Sequence, residues 1–312
     1  MKKMINRILI RIKVVQLLYS YLISANSMSI KDAKNDLEKS LDKGYELYYY
    51  LLLLMVELTE LQANRIEAAK NKYLPTEEDL NPNTKLIDNL FINKLISDED
   101  FKEYLQNNPI TWREDDIFMK LELDRILKSD IYADYIATEG NEYVEDCLFW
   151  YSVMKNIILT DEELIDTLES KSVYWNDDLS TVGSFVLKTI KKFELNEETP
   201  ILPKYRNYED SVFGKELFSH IIEDMNYANS LINKFVQTEH WDADRIAKMD
   251  RLIMSVAISE ILHYPSIPTK VTLNEYIEIA KYYSTPKSGQ YINGILNSVV
   301  NYLKKSGKIN KE

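Results

Sequence analysis

Cysteine is nearly absent: Cys147 is the only one in 312 residues. That excludes an intrachain disulfide and a thiolate zinc site, and it fits a reducing cytoplasm. Glycine and proline are also scarce, at seven and eight, so turns are few and helices are favoured. No glycine-rich phosphate loop, nucleophile elbow, zinc signature or kinase set occurs, which makes a binding module a better starting point than an enzyme. Long apolar runs are missing too. The longest, residues 47–56 (LYYYLLLLMV), is far short of the roughly 20 residues a bilayer span requires, and Glu46 and Glu57 bracket it. It reads as the most buried part of a helix, and no membrane partner is expected.

Acidic residues are lacking at both ends. The first is Asp32, and Lys2, Lys3, Arg7, Arg11, Lys13 and Lys31 precede it; residues 281–311 hold six Lys and no Asp or Glu. Between them, residues 32–280 carry 26 basic against 49 acidic side chains, a net of −23. If the two basic ends meet, they form a small anion-binding surface on a body that repels nucleic acid, which favours a defined RNA or DNA contact over indiscriminate coating.

What is present is helical patterning throughout, and the fold class expected is all-α. The basic start followed by VVQLLYSYLISA imitates a signal peptide. Ile5, Ile8, Leu9, Ile12, Val15, Leu18 and Leu22 nevertheless recur at helical spacing while Arg7 and Arg11 share another face, which predicts an amphipathic helix over 5–25 with a basic side. A second helix is expected over 32–73, broken near Gly44, then shorter helices over 85–193, a linker at 195–203 and a long helix over 209–236. In the last seventy residues, a helix beginning near 243 or 247 is followed by a Thr272-x-x-Glu275 capping box opening a helix at 274–283. Thr285-Pro286 is expected as the cap and first position of the last helix.

Glu260-x-x-His263 has the spacing used by di-metal carboxylate bundles, but such sites need two copies and only one occurs. It reads as a helix-surface pair near a C-terminus. His220 and His240 have no ligand or triad partner at informative spacing. No cofactor and no metal is expected.

The run from Met249 to Leu262, then 267–281 (IPTKVTLNEYIEIAK), then Ser288-x-x-Tyr291-Ile292-Asn293-Gly294-Ile295-Leu296, resembles the C-terminal half of the transcription antitermination factor NusB family. Arg7-x-x-x-Arg11 followed by Val15-Gln16-Leu17-Leu18-Tyr19-Ser20-Tyr21 is similar to that family's arginine-rich first helix, and 209–236 to the long helix ending its N-terminal bundle. The resemblance covers 1–25 and 209–303. It implies a NusB-like pair of helical bundles with a large helical insertion after the first helix: residues 1–31 as first helix, 32–208 as acidic insertion, 209–312 as the remainder.

The resemblance also implies a non-enzymatic, cytoplasmic activity. NusB-like proteins pair with NusE, a small-subunit ribosomal protein, on the single-stranded boxA RNA of ribosomal RNA transcripts, within the RNA polymerase antitermination complex. The RNA-binding residues it implies are Lys3, Arg7, Arg11, Tyr19, Phe235, Asp250, Lys270, Lys287, Ser288, Tyr291 and Asn293. Tyr19 would stack on an unpaired base. Tyr19, Phe235 and Tyr291 also border apolar stripes and could be core, Asn293 could cap or bridge helices, and Arg7 and Arg11 could be a solvated face. The rival reading is a helical protein-interaction scaffold without RNA binding, whose acidic insertion docks a basic partner.

Overall fold

The structure, a computed structural model, describes residues 4–24, 28–140, 142–175, 177–238, 247–285 and 287–311. Among these no strand occurs. In chain order the α-helices are α1 (Arg7–Ile23), α2 (Ile30–Lys70), α3 (Glu77–Leu80), α4 (Leu90–Ser97), α5 (Glu99–Asn107), α6 (Asp116–Leu127), α7 (Asp130–Ala137), α8 (Tyr143–Asn156), α9 (Glu162–Lys171), α10 (Leu179–Glu194), α11 (Tyr208–Thr238), α12 (Lys248–His263), α13 (Thr269–Tyr283) and α14 (Ser288–Lys305).

The chain divides into two compact units. One comprises residues 1–4 and 42–204, the other 5–41 and 205–312. The divisions fall at Leu41/Asp42 and Lys204/Tyr205, where the sequence suggests 31/32 and 208/209. The first third of α2 therefore belongs with the terminal helices. α2 is also continuous through Gly44, which is buried within reach of the Asp178 carboxylate, so a glycine in mid-helix here marks close packing and not a break.

In the unit formed largely by 42–204, α2 is apolar on every side from Leu47 to Val56, and every residue of that run is buried, as expected of a helix surrounded by others. Its polar groups are used internally. The Trp112 indole donates to the Tyr50 carbonyl (2.8 Å), and the Glu57 carboxylate accepts from the Trp112 backbone N–H (2.8 Å) and the Thr111 hydroxyl (2.9 Å). Residues 195–203 are no free linker. Ile201 and Leu202 are buried, and the Leu202 N–H donates to the Tyr48 hydroxyl (3.1 Å) while its carbonyl accepts from Tyr45 (3.1 Å).

In the other unit α12 is central: all ten residues from Leu252 to Ile261 are buried, with α1, α11, α13 and α14 packed against it. Gly214 lets α11 approach its neighbours closely, since a Cβ there would sit 2.8 Å from Ile10 Cγ2 and 3.3 Å from Leu37 Cδ2. α13 starts at Thr269, five residues before the expected position, and its cap has no side-chain bond. The capping box does not form because the Thr272 hydroxyl turns inward to Glu260 (2.8 Å).

Candidate nucleic-acid interface

Burial on α1 takes in its basic side as well as Leu9, Val15 and Leu18 of the expected apolar stripe. Arg11 is 3% exposed and Lys13 is also buried, whereas Ile8, Tyr19, Leu22 and Ile23 are exposed at 40% or more. The reason lies on α11 and α12, which supply carboxylates inside. Glu260, fully buried, accepts from Arg11 Nε (2.7 Å) and Nη2 (2.8 Å), from Thr272 Oγ1 (2.8 Å) and from the Tyr276 hydroxyl (3.0 Å). A guanidinium fork on a carboxylate, with the remaining lone pairs satisfied by hydroxyls, is the arrangement that makes a buried ion pair tolerable.

Burial works against the charge on Arg11, but the Glu260 hydrogen bonds and charge outweigh it, so its pKa lies above the ordinary guanidinium value. Burial also pushes the Tyr276 hydroxyl and the Glu275 carboxyl up, the latter opposed by Arg11 at 3.8 Å. Arg11, expected to face RNA, is thus an interior structural residue, and Glu260 is not a helix-surface group. Arg7 remains 30% exposed, yet its Nε holds the buried Asp210 at 2.9 Å and its guanidinium lies over Phe213.

His263, the other half of the expected surface pair, does lie outside, with Nε2 2.8 Å from Asp224 Oδ2. Its ring stacks in parallel on His220 at 3.9 Å, an association that sequence spacing does not reveal. Burial, then the neighbouring imidazole, lowers the His220 pKa.

The remaining candidates separate into three groups. Tyr19 stands beside an open groove of about 520 Å³ lined by Leu22, Ile23, Met225, Lys248, Arg251 and Leu252 among others. Arg251 Nη1 donates to Asn233 Oδ1 (2.8 Å), which fixes the guanidinium along α11. Asp250, Ser288 and the start of α14 form a second cluster. Asp250 is buried and accepts from the Ser288 hydroxyl (2.9 Å) and the Ser284 hydroxyl, so both Asp250 and Ser288 hold α12, α13 and α14 together and present no free polar edge.

Lys287 is exposed one residue before α14, Asn293 is exposed and accepts from Asn297 (2.7 Å), and Tyr291 is half-buried. Third, Phe235 meets Tyr302 at 5.9 Å, with Lys234 over both rings. Lys270 is exposed in the first turn of α13, apart from these contacts. Lys3 and His240 lie outside the described residues.

Sequence reasoning misses Lys248, Arg251 and the exposed end of α1. Helical spacing puts Leu22 on the apolar stripe, but α1 outruns its packing partners and leaves Leu22 48% and Ile23 60% exposed. An apolar and aromatic strip beside cations is a surface for bases, sugars or a protein partner, since each offers a flat face together with acceptors.

These features define an all-α protein with an aromatic, cation-lined groove on its terminal-helix unit. The NusB family model matches residues 179–301. The transcription antitermination protein NusB of Natranaerobius thermophilus is 38% identical over 133 residues, 42% of this chain and 86% of that protein. That of Salinibacter ruber is 32% identical over 141 residues, 45% of this chain and 81% of the relative, and that of Finegoldia magna 42% over 99 residues, 31% and 71%. No solved structure matches the chain. The chain belongs to the NusB family. Its match begins at the first residue of α10, thirty residues before the point at which the motifs alone place the family's long helix. Among the described residues no helix is long and apolar enough to cross a membrane.

Proposed function

We propose that this protein is a cytoplasmic transcription antitermination adaptor with no enzymatic activity, which binds boxA-type single-stranded RNA together with a NusE-type ribosomal protein in the RNA polymerase antitermination complex. The observation that carries the reading is Tyr19, 40% exposed beside a groove bearing Lys248 and Arg251, in a chain related to proteins named for antitermination. Tyr19 acts as the stacking platform, Lys248 and Arg251 as phosphate contacts, and Lys270 and Lys287 as further exposed cations. Asp250 and Ser288 set the position of α14 relative to α12.

The reading is tested by titrating boxA RNA with and without the ribosomal partner across salt. Lys248→Glu and Arg251→Glu should each abolish one phosphate interaction and so lower the log–log salt slope by about 0.7, the value for single strands. Unchanged affinity and slope in both variants would refute it. One observation favours the rival scaffold reading: Arg11 and Lys13 are buried and Arg7 is paired, which leaves α1 few cations for RNA. On that reading the ribosomal partner binds and RNA adds nothing.

A further inference from the structure

The unit formed largely by 42–204 carries a second groove, of about 600 Å³, between the start of α6 and α9. Its wall is apolar: Ile117 is 77% exposed, Leu121 47% exposed, and Phe118 lies at its base. Its rim is acidic, with Glu114, Asp115, Asp116, Glu163 and Asp166 and no basic lining residue. Three of these carboxylates are partly neutralised by neighbours: Asp116 by Lys120 (2.5 Å), Asp115 by Lys171 (2.8 Å), and Glu163 more weakly by Arg125 (3.9 Å). Among the described residues Glu114 and Asp166 make no ion pair, and they line the same groove as the exposed isoleucine.

We propose that this groove docks a Lys/Arg-rich amphipathic segment of another protein, with apolar side chains against Ile117, Phe118 and Leu121 and cations on Glu114 and Asp166. Charge complementarity selects the occupant. A nucleic acid would bring phosphates against five carboxylates, while a purely apolar segment would leave two unpaired charges at the contact. A bare divalent cation is a poor fit, because the described carboxylates are not gathered into a metal-ligand set. The groove is of the size that takes a few side chains, and helix-in-groove binding uses this combination of apolar anchors and a charged rim. The proposal goes beyond the RNA reading and does not depend on it.

The test uses the whole protein and a fluorescein-labelled 18-residue Leu/Lys peptide patterned as an amphipathic helix, followed by fluorescence anisotropy at several salt concentrations. A scrambled peptide of the same composition is the control. Binding should weaken roughly tenfold or more in E114K/D166K and in Ile117→Ser, with an unchanged melting temperature, and should fall with salt.

Reversing the exposed Glu77 and Glu78 of α3 should change it little. The proposal is overturned if the patterned peptide does not bind, if the scrambled peptide binds equally well, or if reversal at 77 and 78 weakens binding as much as reversal at the groove. It is also overturned, in favour of a second copy of the chain, if sedimentation shows a self-association that Ile117→Ser abolishes. RNA titration of E114K/D166K should match the unmodified protein, which separates failure here from failure of the RNA reading.

Discussion

Replacing Arg11 by Met leaves the Glu260 carboxylate fully buried with two hydroxyl donors, from Thr272 and Tyr276, in place of four donors in all. Hydrogen bonds to charged groups contribute about 1.5–3 kcal/mol each, so losing two removes roughly 3–6 kcal/mol. That range brackets the roughly 3–5 kcal/mol typical of breaking a buried pair from one side. The double variant R11M/E260Q strands no charge at position 260, keeps a carbonyl acceptor for the hydroxyls, and should recover at least about half of the loss.

Tryptophan fluorescence is a poor probe, since three of the four tryptophans, Trp112, Trp150 and Trp175, lie in the other unit. Hydrogen exchange of peptides from α12 and α13, read across guanidinium concentrations, reports the pair directly. If R11M cost under about 1 kcal/mol, or the double variant were as unstable as the single, the buried-pair account would fail. If R11M left stability intact and weakened RNA binding, Arg11 would return to the RNA surface.

Tyr19→Ala should cost about 1–3 kcal/mol of RNA affinity with little change in melting temperature, because the ring is 40% exposed; isothermal titration beside calorimetry checks both halves. Burial, only partly countered by Arg125, raises the Glu122 carboxyl to about 7. The folded state then holds a proton that the unfolded state releases near the ordinary glutamate value, so stability should fall as pH rises from about 4.5 to about 7, by up to roughly 3 kcal/mol. Urea midpoints at pH 5 and 7.5 should converge in Glu122→Gln. Gly214→Val forces a side chain into the space held by Ile10 and Leu37, and should destabilise by about 1–3 kcal/mol in denaturant titrations.

The terminal helices are readable in the sequence because their signals are local: α11, α12 and α14 follow apolar spacing, and the loop prolines bound α12 and α13. The burial of residues 47–56 is readable for the same reason. What fails is the exposure of the polar faces. Arg7 and Arg11 share a face of α1 whatever the fold, but whether that face meets water or an interior carboxylate depends on Glu260, 249 positions away. Spacing rules see one or two helical turns. The same limit makes Thr272 look like a cap when its acceptor lies on another helix. Among the residues that the resemblance puts on the RNA, the structure places Tyr19, Lys270, Lys287 and Asn293 at the surface and Arg11, Asp250 and Ser288 inside, a division that no local pattern encodes.

The pairing of residues 5–41 with 205–312 sets an order of events during synthesis. A ribosome adding roughly 5–20 residues per second needs on the order of 10–40 s to translate from the end of α1 to the start of α11. For that interval α1 has neither Asp210 nor Glu260 to meet its arginines, and its apolar residues have no α12 to cover them. The unit between them has all its residues from Asp42 to Lys204 in hand first and can fold as a body while the early helix waits. α1 is therefore the segment most exposed to chaperones and proteases on the nascent chain, and slowing elongation within 42–204 should lower the yield of active protein more than slowing it within 205–312.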